Sequence, residues 1–283
     1  MNLVEYLARA TAYLEERDVA SPRLNAELLL CHLLDIGRLD IYTGFERTLT
    51  PEEAERYKNL VKRRGTGYPL QYITGECGFR GLTLGVREGV FIPRPETELL
   101  VEKALEVLPG GEADVLDLGT GCGAIAVCIA TEHPGARVTA TDLDAEALAL
   151  CERNAQRAGV ADRIETMPGD LFEPLAGGGR TFDALVSNPP YVPTSCAGSL
   201  SREVREHEPP AALFAGADGL DVIRVIVARA GPLLREGGWM LLEIDESQGN
   251  AVLELLSAEG GWSGAEVFED LNGRPRVVRA RLP

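Results

Sequence analysis

Beyond Pro109 the chain repeats one pattern, a short apolar run followed by a turn and then an amphipathic stretch. The runs are Asp114 to Leu118, Arg137 to Asp142, Arg163 to Met167, Phe182 to Ser187 and Trp239 to Ile244. Helical spacing fills 145–158 and 220–234; in the second, Leu220, Ile223, Ile226, Val227, Ala230 and Leu233 form one stripe. Parallel strands cannot be joined by tight turns, so strands alternating with helices imply an α/β sheet with crossover helices. The closing segment "AEVFEDLNGRPRVVRARL" reads as two antiparallel strands around an Asn272-Gly273 turn. Together these predict a Rossmann-like, seven-strand, mostly parallel sheet.

The first 75 residues have a different texture. Leu3, Leu7, Ala10 and Leu14 recur at helical spacing, Ser21 and Pro22 look like a helix start, and Thr50, Pro51 and Glu53 form a capping box with proline in the first turn. In "GECGFRGLTLGVREGVFI" glycines punctuate short β-branched and aromatic pieces, which predicts a hairpin. The helix "ETELLVEKALEVL" follows, with Leu100, Ala104, Val107 and Leu108 on one face. The expected organisation is a helical recognition domain over 1–75, a β-hairpin linker over 76–93 and an α/β domain over 94–283.

Charge and cysteine usage exclude several classes. The net charge of −16 opposes nonspecific attraction to phosphate backbones. Residues 1–73 carry 11 acids against 10 bases, so nearly all of that excess lies downstream. Within the first part, Arg56, Lys58, Lys62, Arg63 and Arg64 cluster, either as a solvated helix end or as a docking patch. No apolar run reaches the ~18 to 20 residues of a membrane span, and the amino terminus carries acids unlike a signal peptide. Six cysteines without a C-x-x-C pair and three scattered histidines signal neither disulfides nor a metal site. A cytoplasmic, metal-free monomer with no stable nucleic-acid or membrane partner is expected.

The loop in "VLDLGTGCGAIAV" places Asp117, Gly119, Thr120, Gly121, Cys122 and Gly123 between the first strand of the α/β region and its helix, where open sheets of this class bind cofactors. Glycine spacing alone also satisfies the dinucleotide pattern. Asp117 would set a negative charge where a pyrophosphate should lie, which favours a ligand bearing ammonium and sulfonium groups, S-adenosylmethionine. Asp142, at the end of the next strand, is placed to accept from ribose hydroxyls. Asp170, in "MPGDLF", either accepts from an adenine amino group, with Leu171 and Phe172 packing near the ring, or is a turn residue.

The fourth strand runs into Asn188-Pro189-Pro190-Tyr191. Two prolines stop sheet pairing and leave a rigid turn. The side-chain oxygen of Asn188 and the carbonyl of Pro189 then form a pair of acceptors suited to the two N–H bonds of a planar amino or amide group, with the Tyr191 ring beside it. Such a site suits methyl transfer to nitrogen. A nucleic-acid amino-methyltransferase, a dinucleotide oxidoreductase and a non-catalytic cofactor-binding protein are the rival classes.

Nearly the whole chain resembles the bacterial release factor glutamine methyltransferases. The resemblance is carried by "YPLQYITGECGF", "FIPRPETELLVE", "VLDLGTGCGAIA", "VSNPPYVP", "EHEPPAALFAGADGLD" and "LNGRPRVV". It implies a methyl donor held by Gly119 to Gly123 and Asp142, and a substrate amide held by Asn188 and Pro189 with Tyr191 lining the slot. Phe91, Arg94, Pro95, Glu96 and Thr97 would form a rim near both, and class 1 peptide release factors, methylated on the glutamine of a Gly-Gly-Gln motif, would be the substrate. A ribosomal-protein glutamine or DNA amino-methyltransferase could use the same Asn-Pro-Pro-Tyr site. His207 departs from the pattern, standing where an aromatic residue often precedes Glu-Pro.

Overall fold

The computed structural model describes residues 1–44 and 46–283. Two units are distinguished: Met1–Glu76 with Ser201–His207, and Cys77–Leu200 with Glu208–Pro283.

The first unit is helical, with α1 (Leu3–Glu15), α2 (Pro22–Leu34), α3 (Arg38–Thr43), α4 (Pro51–Gly65) and α5 (Leu70–Thr74). Its core gathers Leu3, Leu7, Leu14, Leu29, Leu30, Ile41, Tyr57 and Val61, the apolar stripes read from the spacing. The capping box at Thr50 and Glu53 forms as expected, and a second one joins Asn2 and Glu5. Ser21 does not act as a cap. It takes a left-handed backbone with no side-chain bond to the helix, and the Asn25 amide donates instead to the Ala20 and Ser21 carbonyls.

The basic cluster divides. Arg64 is buried, donating to Asn25 Oδ1 (2.6 Å), to the Tyr68 carbonyl (3.0 Å) and to Glu203 Oε2 (2.7 Å). Arg63 lies over the Tyr68 ring at 3.9 Å, while Arg56 and Lys62 are exposed. A solvated helix end therefore describes only part of the cluster. His207 packs edge-on against Tyr68 at 5.0 Å.

The second unit opens at Cys77, the second residue of β1 (Glu76–Phe79), which forms a hairpin with β2 (Leu82–Gly85), then α6 (Thr97–Val107). There follow β3 (Ala113–Leu118), α7 (Ala124–Glu132), β4 (Ala136–Asp142), α8 (Ala145–Ala158), β5 (Ile164–Pro168) and β6 (Phe182–Ser187). After α9 (Arg202–His207), which belongs to the first unit, come α10 (Asp221–Arg229), β7 (Leu234–Glu243), α11 (Gly249–Glu259), β8 (Ser263–Glu269) and β9 (Pro275–Arg281). The main sheet has seven strands in the order β5-β4-β3-β6-β7-β9-β8, parallel except for β9, which runs against both its neighbours. The central strands are apolar on both faces because helices cover both, and Leu116, Leu118, Leu185, Leu241 and Leu242 are fully buried.

Two elements differ from their sequence pattern. Helix α10 ends at Arg229 because Gly231 and Pro232 turn the continuing stripe into a short 3-10 segment. Strand β7 starts at Leu234, earlier than its apolar run suggests, with a register shift around Gly237, whose φ is +76°.

Buried Asn154 on α8 ties the hairpin to the first loop of the sheet. It accepts from the Gly85 N–H (2.7 Å) and donates to the Gly85 (3.0 Å) and Cys122 (2.8 Å) carbonyls. Asn154→Ala strands these groups and is expected to lower the unfolding free energy by about 1–3 kcal/mol in urea titrations. An unchanged midpoint would mean that the hairpin is held by other contacts.

Candidate active site

Strands β4 and β5 lie on one side of β3, and β6 lies on the other. The chain leaving β3 therefore turns one way while the chain leaving β6 belongs to the opposite half, and a crevice opens between their carboxyl ends. The register pairs Leu118 with Ser187, and the Ser187 hydroxyl donates to the Leu118 carbonyl at 2.7 Å. The residues that continue from this pair are Gly119 and Asn188, so the fold brings the glycine loop and the Asn-Pro-Pro-Tyr turn together.

Within the loop, Gly119 and Gly121 have φ of +70° and +56°, and a Cβ added at either would meet nothing within 4 Å. Their missing side chains leave a cradle beside the backbone. Gly123 is required for packing instead, since a Cβ there would come within 2.5 Å of Cys151 Sγ. The N–H groups of Gly119 and Thr120 both donate to the Thr141 carbonyl at 2.9 Å. The side chains of Thr120 and Cys122 are turned inward and buried, so these positions offer backbone to a ligand.

Asp117 is fully buried. It accepts from the Thr120 hydroxyl at 2.6 Å through Oδ2, while Oδ1 has no hydrogen-bond partner among the described residues. Burial pushes its carboxyl up to about 7 despite the Thr120 bond. Asp142 accepts from the Gly121 N–H (2.8 Å) on Oδ2 and from the Asp144 N–H (2.9 Å) on Oδ1, which fixes the carboxylate and leaves each oxygen a further lone pair. Burial raises its pKa too, against those two bonds. The next residue, Leu143, is apolar and 70% exposed.

After β5, Asp170 is exposed and its carbonyl accepts from the Glu173 N–H, a turn. Leu171 is half-buried with φ of +45°, a strained conformation for leucine. Phe172 corrects the expectation of a ring facing the cofactor. It is 4% exposed and packs in the core with Leu116, Leu185 and Ile226, with the Arg229 guanidinium 5.3 Å from its ring centre.

The Asn-Pro-Pro-Tyr turn is braced from behind. The Gln248 amide donates to the Tyr191 carbonyl at 3.0 Å, and Gly219 lies so close that a Cβ would stand 2.1 Å from the same oxygen. Val192 exchanges hydrogen bonds with Leu213 and Ala215, which explains locally why "EPPAALFAGADGLD" accompanies the turn. Asn188 Nδ2 donates to Thr97 Oγ1 at 3.1 Å, and the Tyr191 hydroxyl donates to Glu243 Oε1 at 3.3 Å. Among the described residues none donates to Asn188 Oδ1 or to the Pro189 carbonyl.

Glu243, the last residue of β7, is 1% exposed, and burial pushes its carboxyl up to about 7, opposed by the Thr97 and Tyr191 hydroxyls. On the rim, Arg94 pairs with buried Glu208 and its guanidinium lies 4.9 Å from the Phe91 ring centre. Pro95 is exposed and Glu96 half-buried.

A separate charged cleft of about 480 Å³ opens at the opposite, amino ends of β3 to β6. There Arg235 pairs with Asp114 and Asp183, and Arg180 with Glu165.

Comparison with known proteins bears on this arrangement. The PrmC N-terminal domain description matches residues 5–75, and the methyltransferase small domain description matches 88–200. The chain is 44% identical over 95% of its length to a release factor glutamine methyltransferase of Geobacter sulfurreducens, covering 93% of that protein, and 42% identical over 100% to one of Koribacter versatilis, covering 99% of it. The chain belongs to the release factor glutamine methyltransferase family. Among solved structures it is similar to the T. thermophilus 16S rRNA N2 G1207 methyltransferase in complex with AdoMet and guanosine. That match has a TM-score of 0.53 and 21% identity over 74% of this chain and 50% of that one, a likeness of fold.

Of the residues marked from sequence, the structure gathers Gly119, Gly121, Asp117, Asp142, Asn188, Pro189, Tyr191 and Thr97 along the carboxyl edge. Phe172 it does not. Leu143 and Glu243 were missed. An apolar residue directly after the acid of a strand end could have marked Leu143, whereas Glu243 looks like an ordinary charged strand terminus. Asp117 and Glu243 both hold protons more tightly in this family member's folded chain than in the unfolded one. Their contribution to stability is full below the unfolded carboxylate pKa and is lost as pH rises through about 7. The double variant Asp117→Asn, Glu243→Gln is expected to show a flatter melting temperature over about pH 5 to 8 than the unaltered chain. Equal slopes in calorimetry would show that both carboxyls are ionised throughout.

Proposed function

We propose that this chain transfers a methyl group from S-adenosylmethionine to the side-chain amide nitrogen of the glutamine in the Gly-Gly-Gln motif of class 1 peptide release factors. The observation that carries the reading is the pair of undonated acceptors, Asn188 Oδ1 and the Pro189 carbonyl, on a braced turn beside the glycine loop.

The residues of the loop suit the donor. Asp117, with a buried unpartnered oxygen, complements a cation; the cradle at Gly119 and Gly121 admits close approach; and Asp142 keeps lone pairs for ribose hydroxyls. Leu143 supplies an exposed apolar surface for the adenine, and Asp170 is near enough in sequence to the β5 end to serve its amino group. When bound, S-adenosylmethionine supplies a methyl made electrophilic by its sulfonium.

The chain's own task is to make a poor nucleophile act. An amide nitrogen has its lone pair delocalised into the carbonyl. Two acceptors on its N–H bonds favour the pyramidal nitrogen that gains positive charge, and that stabilisation grows toward the transition state. Fixed placement supplies part of the ~7 to 11 kcal/mol available to oriented reactants. The methylated amide cation is a strong acid, so its proton needs no dedicated base. Phe91, Arg94, Pro95 and Glu96 line the approach, Tyr191 packs on the flat amide, and Pro190 keeps the turn rigid.

The helical unit over the first 75 residues serves release factor recognition in this reading. The chain acts as a cytoplasmic monomer without metal, and its −16 charge disfavours a nucleic-acid substrate. No helix among the described residues is long and apolar enough to cross a membrane.

Mass spectrometry of release factor peptides after incubation with the protein and S-adenosylmethionine tests the reading: one added methyl on the Gly-Gly-Gln peptide is expected. Asn188→Ala should cut turnover by roughly a hundredfold or more with cofactor affinity within about threefold. Methylation of DNA or of a ribosomal protein in place of the release factor would refute the substrate assignment. Binding of S-adenosylmethionine is also expected to tighten as pH rises through about 7, as Asp117 ionises, and Asp117→Asn should abolish that dependence in calorimetric titration.

A further inference from the structure

In the proposed reaction the Asn-Pro-Pro-Tyr turn meets a group that every glutamine carries, so its two acceptors do not by themselves select one glutamine of one protein. Selection needs a further contact with the folded substrate. The turn between β8 and β9, residues 270–274, stands on the same edge of the sheet. Strand register places it there: Ser187 of β6 aligns with Leu242 of β7, Glu243 of β7 aligns with Val277 of β9, and the Ile244 N–H donates to the Arg276 carbonyl at 2.9 Å. Because β9 runs antiparallel to β7, the turn that precedes it projects past the carboxyl end of β7, as Asn188 projects past the end of β6. Two strand spacings, about 10 Å, separate the row of Asn188 from that of Val277.

At the tip of this turn Leu271 is fully exposed. Lone apolar residues are ordinary on a protein surface, but this one is held out by a tightly bonded loop. Asp270 Oδ1 accepts from the Asn272 N–H (2.8 Å) and the Arg274 N–H (3.1 Å), Oδ2 accepts from Arg276 Nε (3.1 Å), and the Asp270 N–H donates to the Arg274 carbonyl (2.8 Å). Gly273, with φ of +72°, closes the loop by donating to the Asp270 carbonyl at 2.9 Å. Arg274 and Arg276 both face Glu246, at 3.3 and 3.7 Å. Beside Glu246 the Asp245 N–H donates to Gln248 Oε1 at 3.0 Å, and the Gln248 amide is the group that braces the Tyr191 carbonyl. One short segment after β7 therefore fixes the tip and the Asn-Pro-Pro-Tyr turn to each other. Asp270, Gly273 and Arg274 each have a task within the loop, whereas the Leu271 side chain, fully in water, supports nothing in the fold.

We propose that Leu271 is a docking residue for the protein substrate, seating in an apolar depression of the release factor beside its Gly-Gly-Gln motif and so helping to set which glutamine reaches Asn188. The inference deepens the proposed function and rests on it. A leucine that passes from water into such a depression gains about tenfold to a hundredfold in affinity. A loop already fixed by its own hydrogen bonds loses little freedom on docking, so most of that gain is kept. The contact is the same before and during methyl transfer. It therefore acts on KM for the release factor and leaves kcat alone.

The test uses the full chain and full-length release factor. Leu271→Ser should raise KM for release factor about tenfold or more, with kcat and S-adenosylmethionine affinity each within about twofold, and Leu271→Met should bring KM back to within about threefold. The urea unfolding midpoint should be the same in all three proteins, because the tip makes no core contact. A photoreactive phenylalanine analogue in place of Leu271 should attach, on illumination, to release factor beside the Gly-Gly-Gln motif. An unchanged KM in Leu271→Ser overturns the proposal. So does a fall in kcat or cofactor affinity at constant KM, which would make the loop a support of the Asn-Pro-Pro-Tyr turn only, and so does a cross-link to a second copy of this chain in place of release factor. An unaltered protein that never methylates release factor refutes the functional reading and this inference with it, whereas methylation with equal KM in Leu271→Ser refutes this inference alone.

Discussion

The parallel pairing of β3 with β6 is the contact on which the site depends. It makes neighbours of Leu118 and Ser187, 69 residues apart, and so sets the glycine loop beside the Asn-Pro-Pro-Tyr turn. Neither loop could hold a reaction alone. In the proposed reading one is a cradle of backbone for a donor, and the other a stiff pair of acceptors for a nucleophile. Their alignment is secured below by strands buried on both faces, and truncating a core leucine there would cost about 2 to 5 kcal/mol. The precision of the edge is thus inherited from the hydrophobic interior.

Against that apolar background the strands of the sheet keep two carboxyls, Asp117 and Glu243, with almost no access to water. Burying them opposes stability, and ordinary strand positions of this kind hold leucine or valine. They stand at the edge proposed for the chemistry, one under the glycine loop and one behind the turn. Perturbed acids gathered at a single edge are what a functional site produces. Glu27 shows the contrast. It is a buried acid in the helical unit, but Arg23, Arg38 and Tyr42 surround it and its pKa is lowered, as befits a structural ion cluster.

Much of this was legible in the residues. Alternation of apolar runs and amphipathic stretches marked the strands to within a residue or two at β3, β4, β5 and β6, because a doubly covered strand must be apolar throughout. The two loops were legible because glycine and proline restrict the backbone wherever they occur. Long-range partnerships were not. Phe172 could be assigned to a ligand or to the core with equal ease until α10 was placed over it. Arg64 looked like one of five exposed bases, since its partner Glu203 lies 139 positions away. Glu243 gave no local sign, because its hydrogen-bond partner Tyr191 lies 52 positions away on another segment.

Residues 201–207 return to the helical unit after more than a hundred residues of sheet, and they bring Glu203 to the buried Arg64 and His207 to the Tyr68 ring. A fragment excised after Glu76 would keep five helices yet lose the carboxylate that neutralises an interior guanidinium, a far costlier loss than that of a surface pair. Gene fusions or domain exchanges that treat the amino-terminal helices as a detachable cassette would therefore need to carry this short downstream piece with them.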